Sequence, residues 1–198
     1  MTFNKRAIDI FGIMCGTDNL MEYEDYDVGD MFNSALCFVD VQIEPSQSTI
    51  KSLKKLNIEL YEGVGKIFAI DDYDNYQTLV FDCGIYAFSL HSRLPEGIDS
   101  GSYVKMRFYL VFDEDYHSQL SINGEPLWKV IPGMVYDWKI KDILIWAREG
   151  KKGEKYFENL PVAYTSPDGE RYKRIRGTDA YNDTGGYDTN YILICEML

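Results

Sequence analysis

The chain has 198 residues, 45% of them apolar and 15% aromatic, which is enough for a sizeable core and excludes a globally disordered protein. Thirty-two acidic residues against 20 basic ones give a net charge of −12, so the chain is steered toward basic partners and repelled at long range by nucleic acid and anionic membranes. No apolar run is long enough to cross a bilayer, and Asp9, Gly12 and Gly16 break the N-terminal apolar stretch where a secretory leader would need continuity. The sequence therefore reads as cytoplasmic.

The richness in Tyr, Phe, Val and Ile predicts strands, because these side chains pack well on a pleated surface. The first 45 residues hold two basic and nine acidic residues, a local net of −7. Among them lies the block Glu22-Tyr23-Glu24-Asp25-Tyr26-Asp27, which alternates carboxylates with large amphipathic rings. A long loop of this kind between apolar runs suits a contact surface: Tyr supplies area at low entropic cost and the carboxylates select a basic partner. A strand is expected over Leu36–Ile43, with Cys37, Val39, Val41 and Ile43 on the core face and Asp40 and Gln42 outward. Leucines and isoleucine at 50, 53 and 56 behind Ser48 and Thr49 predict a short helix over Ser46–Leu56.

A long strand follows over Ile58–Ile70, with Gly63 and Gly65 placed where a barrel strand must coil sharply. The polar run Asp71-Asp72-Tyr73-Asp74-Asn75 predicts a turn and forms a second acidic, Tyr-bearing patch. It fails the calcium-loop pattern, since counting from Asp72 the fifth and sixth positions are Tyr76 and Gln77. Thr78–His91 reads as a strand bent at Asp82-Cys83-Gly84, and turns are expected at Pro95-Glu96-Gly97 and Asp99-Ser100-Gly101. Ser102–Phe112 is another long strand. Asn123-Gly124 predicts a tight hairpin returning through Leu127–Val130, with Pro126 placing that return strand at an edge or at its start. Val135–Arg148 reads as one more strand, Pro167-Asp168-Gly169 as a hairpin turn and Tyr191–Glu196 as the terminal strand.

This order of elements, with its glycine placement, resembles a small closed Greek-key barrel of the OB type. The expected class is all-β with minor α. The expected layout is one domain: an acidic extension over 1–57 bearing one strand and a short helix, barrel core over 58–148, and a C-terminal hairpin and strand over 149–198. A β-sandwich or an up-and-down barrel accounts for the same pattern.

The four cysteines, Cys15, Cys37, Cys83 and Cys195, lie far apart, and three sit in apolar runs, so they read as structural thiols. Neither His91 nor His117 has a second histidine at ligand spacing, and the looser set Asp179, Asp183, Asp188 and Asn190 reads as a glycine-rich turn. No nucleophile elbow and no phosphate-cradling loop occurs, so the sequence assigns no catalytic residue, metal or cofactor.

Residues 139–176 reverse the overall charge, with ten basic and six acidic residues. Within them Arg171-Tyr172-Lys173-Arg174-Ile175-Arg176 places Tyr172, Arg174 and Arg176 on one strand face, an arrangement that can grip single-stranded nucleic acid or another anionic ligand. The net charge disfavours that reading, because such affinity comes mainly from phosphate neutralisation. The expectation is instead a non-enzymatic binding protein that engages a basic protein, for example as an inhibitor or immunity-type protein. Its contact surface would comprise Glu22, Tyr23, Glu24, Asp25, Tyr26 and Asp27, with Asp71, Asp72, Tyr73 and Asp74 as a second patch.

Overall fold

A computed structural model describes residues 8–16, 25–73, 76–113, 121–122, 125–147, 161–180 and 190–198. The strands are β1 (Ile10–Gly16), β2 (Met31–Pro45), β3 (Ser52–Lys55), β4 (Leu60–Tyr73), β5 (Tyr76–Asp82), β6 (Tyr86–Ser92), β7 (Tyr103–Asp113), β8 (Ser121–Ile122), β9 (Glu125–Pro126), β10 (Val135–Trp146), β11 (Val162–Thr165), β12 (Arg171–Ile175) and β13 (Asn190–Met197). A short helix, α1 (Leu127–Val130), lies between β9 and β10. The protein is nearly all β and contains a closed barrel with additional strands, as the sequence predicts. Its elements group into two compact units that interleave along the chain. The first is chiefly Asn33–Asp137; the second combines Ile10–Phe32 with Trp138–Leu198.

The first unit holds a closed ring of five strands. β4 pairs antiparallel with β5 and β7, β5 with β6, and β7 with β2. The ring closes where β2 meets β6 in parallel at Cys37 and Phe88. This is the ring order of an OB-type barrel with one change of chain order. The closing strand was expected at Val135–Arg148, after the other four, and it is β2, which precedes them. Most of β10 belongs to the second unit, where it pairs with β12 and β13. The barrel is thus a circular permutation of the expected one.

The interior is aromatic. Phe81 and Phe108 meet edge to face at 5.6 Å between centroids, Phe38 approaches both in the same manner, and Tyr61 stacks on Phe108. Two glycines of β4 give this ring its curvature. A Cβ on Gly65 would lie 2.3 Å from the Asp82 carbonyl oxygen, so only glycine allows β4 to press against the end of β5 there. At Gly63 a Cβ would crowd Phe81 and Cys83 less severely, at 3.1 and 3.2 Å.

From Leu36 to Val41 the face of β2 is the reverse of expectation, while Gln42 is exposed and Ile43 half-buried as expected. Leu36 and Phe38 are buried in the barrel, whereas Val39 and Val41 are 54% and 55% exposed. The register with β7 shifts between Asp40 and Gln42, and such an irregularity resets the alternation on which face assignment rests. Cys37 joins a second apolar layer outside the ring, made by Ala35, Val80 and Phe88 under Leu127, Ile131 and Met134.

Two local expectations are corrected. Ser52–Lys55 is a strand, β3, paired with β4 through Lys54↔Glu62, so no helix forms over Ser46–Leu56. The serines at its start bond within a loop instead, Ser48 N–H donating to the Ser46 hydroxyl. Leu127–Val130 is helical rather than a return strand, because Leu127 turns inward onto Val80 and Phe88. The hairpin itself forms, with Ile122 opposite Glu125 across the two residues of the expected turn. Turns predicted from glycine are present at Gly84, Gly97, Gly101 and Gly169, all at positive φ.

In the second unit the order is β11–β12–β10–β13–β1, all antiparallel. Tyr191, Ile192 and Leu193 of β13, an interior strand, are buried in succession, the pattern of a strand covered on both faces. Phe11 packs edge-on against Trp138 at 5.5 Å. All four cysteines are free thiols.

Candidate functional site

The acidic block runs into β2 through Asp25–Asp30, and this stretch is pinned to the segment that follows β12. Tyr26 N–H donates to the Thr178 hydroxyl and Thr178 N–H returns a bond to the Tyr26 carbonyl, each at 2.8 Å. The Asp25 carboxylate accepts from the Thr178 hydroxyl at 2.8 Å and from Ala180 N–H at 2.9 Å. Val28 N–H donates to the Arg176 carbonyl, and Asp27 forms a β-bridge with Gly177. A tight turn then closes from Asp27 to Asp30, with Gly29 at φ +110°, where a side chain would be strained. The Asp30 carboxylate caps this turn by accepting from Asp27 N–H at 2.7 Å.

Its electrostatic consequence is specific. The Asp25 carboxylate is spent on the protein's own backbone and hydroxyl. Asp27, Val28 and Asp30 face solvent, and Asp179 lies exposed on the docked segment. Tyr26 is half-buried, its ring tilted against Phe32 at 5.0 Å. The arrangement holds the Asp25 and Asp30 carboxylates at fixed positions through hydrogen bonds to the protein's own backbone and to the Thr178 hydroxyl. Glu22, Tyr23 and Glu24 lie outside the described residues.

The second patch divides differently. Asp71, Asp72 and Tyr73 are strand residues of β4, in register with Thr78, Gln77 and Tyr76, and are not the expected turn. The pairing persists to the last possible pair because a register shift between Ala69 and Asp71 lets β4 follow β5 to its end. Asp74 lies outside the described residues.

The basic strand is less available than its sequence implies. Tyr172 and Lys173 are buried, and the Tyr172 ring lies against Tyr164 at 6.3 Å. Arg174 pairs with Asp142 at 2.6 Å, while Arg171 and Arg176 are exposed. Alternation does place Tyr172 with Arg174, yet one end of that face is covered and the other is wet. Thr178 and Asp142, the partners that matter here, escaped sequence reasoning. Both act on residues distant in sequence, and no local pattern announces such a pairing.

Among the described residues no group of three or more His, Cys, Asp or Glu is arranged to hold a metal ion, and no helix is long and apolar enough to cross a membrane. No protein family matches the chain, and neither a curated protein nor a solved structure is detectably similar to it.

Proposed function

We propose that this chain is a non-enzymatic binding protein whose acidic N-terminal surface engages a basic protein, in the manner of an inhibitor or immunity-type protein that sets carboxylates where an anionic substrate would otherwise lie. The supporting observation is the docking of Asp25–Asp30 on Arg176–Ala180, which turns an acidic segment into a surface of fixed shape. A partner then meets charges already held in place, and less ordering entropy opposes association. Opposite charge on the partner raises the rate of encounter and rejects acidic competitors.

The competing reading, an anionic ligand held by Arg171, Tyr172, Lys173, Arg174 and Arg176, is weakened by the burial of Tyr172 and by the Arg174–Asp142 pair. A buried ring offers no face to a base, and a paired guanidinium must first lose its carboxylate.

The test uses a lysine decamer as a cationic stand-in, titrated at low salt, and compares two variants with equal changes of net charge. Glu22→Lys with Glu24→Lys should weaken binding by about tenfold or more, whereas Asp99→Lys with Asp168→Lys should change it by no more than about threefold. Equal losses in both would mean that bulk charge alone is sensed, and the surface assignment would be wrong.

A further inference from the structure

The first unit carries an open cleft of about 520 Å³ beside α1, apart from the acidic surface proposed above. That volume lies within the range of roughly 300–1,000 Å³ common to small-molecule sites. Phe68 and Ile70 of β4 form one apolar wall, and Val130 with Ile131 at the end of α1 forms another. The wall is backed by the buried layer of Val80, Phe88 and Leu127, so it does not depend on loose side chains for its shape.

One end of the cleft is polar and carries an excess of positive charge. Lys66 and Asp82 are opposite one another across the β4–β5 pair, and both line it. Asp82 is already bound by Lys51 at 2.5 Å. Among the described residues Lys66 is in no ion pair. Lys51 thus balances Asp82 and leaves Lys66 as the unbalanced charge lining the cleft, a local charge of +1 in a protein whose net charge is −12.

We infer that this cleft binds a small amphipathic monoanion, a carboxylate with an apolar tail or ring. Its body lies along Phe68, Ile70 and Ile131, and its head meets Lys66. The single unbalanced cation sets the head charge, because the Asp82 carboxylate next to it repels a second negative charge. An apolar wall with one placed charge is the usual composition of such a site.

Calorimetric titration of the full chain with octanoate tests the inference, with octanol, octylammonium and a tripeptide ending in a free leucine carboxylate as comparison probes. Octanoate should bind one per chain at about 1 mM or tighter, octanol about tenfold more weakly, and octylammonium not measurably. Lys66→Gln, a change at an exposed residue, should weaken octanoate about tenfold, and Val130→Glu, also exposed, should abolish binding, with melting curves confirming that both variants are folded. No saturation by about 10 mM, equal binding of octanol, or an unaltered affinity in Lys66→Gln would each overturn the inference. Tripeptide binding more than about tenfold tighter than octanoate would also overturn it and identify the occupant as a protein terminus. None of these outcomes bears on the acidic surface, which lies on other residues.

Discussion

At Gly65 one added methyl group decides whether the barrel can close. Its Cβ would meet the backbone of Asp82 and Cys83 at 2.3 to 2.7 Å, and backbone cannot swing aside as a side-chain tip can. Gly65→Ala should therefore lower unfolding free energy by about 2 kcal/mol or more, and Gly63→Ala by about 1 kcal/mol, as read from urea midpoints. A harmless Gly65→Ala would mean that β4 and β5 do not approach as described. Nearby, burial pushes the Cys83 thiol up to about 12, and burial likewise raises Cys195. An unfolded thiol ionises near pH 8.5, so the unfolded chain loses protons that the folded one keeps. The stability linked to these groups is intact below about pH 8.5 and is lost as pH rises toward 12. Unfolding free energy should decline on that alkaline limb, and Cys83→Ala should make the decline shallower; an unchanged slope would contradict the burial of this thiol.

Among the elements, β2 separates what the sequence makes legible from what it does not. Its existence and type follow from composition, but its inward face does not, because one shift of register near Val41 exchanges the two sides. Phe38→Ala should cost about 3 kcal/mol or more, and Val39→Ala under about 0.5 kcal/mol, the opposite ranking to a core face through Val39 and Val41. The position of β2 in the ring was also illegible. Glycines and turns are local signals, and Gly65, Gly84 and Gly169 act as read, whereas the choice of β2 over Val135–Arg148 as closing strand is a pairing between distant segments. Ser46–Leu56 failed for a related reason. Three apolar residues at helical spacing cannot outweigh an available edge of β4, on which Ser52–Lys55 completes its hydrogen bonds. The helix α1 owes its place to contact rather than propensity, so Leu127→Ala should cost about 2–3 kcal/mol by uncovering Val80 and Phe88.

Over the molecule as a whole, the charge of −12 is organised by internal pairing. Arg174 meets Asp142, Lys141 meets Glu196, and Arg107 and Lys105 share Glu62, whose carboxyl the Arg107 hydrogen bond holds below its ordinary value. The basic strand is partly neutralised by the Arg174–Asp142 pair. The N-terminal block was legible as an acidic, aromatic contact candidate; its anchoring through Thr178 was not, because 152 residues separate Tyr26 from Thr178. Anchoring is what distinguishes a shaped surface from a cloud of charge, and one variant separates the two. Thr178→Val keeps volume and net charge but removes the hydroxyl that holds Asp25 and Tyr26. If a preorganised acidic surface engages basic partners, titration with the lysine decamer at low salt should show binding about threefold or more weaker in Thr178→Val than in the native chain. Equal affinity of the two proteins would contradict the account and leave only their shared net charge to explain attraction.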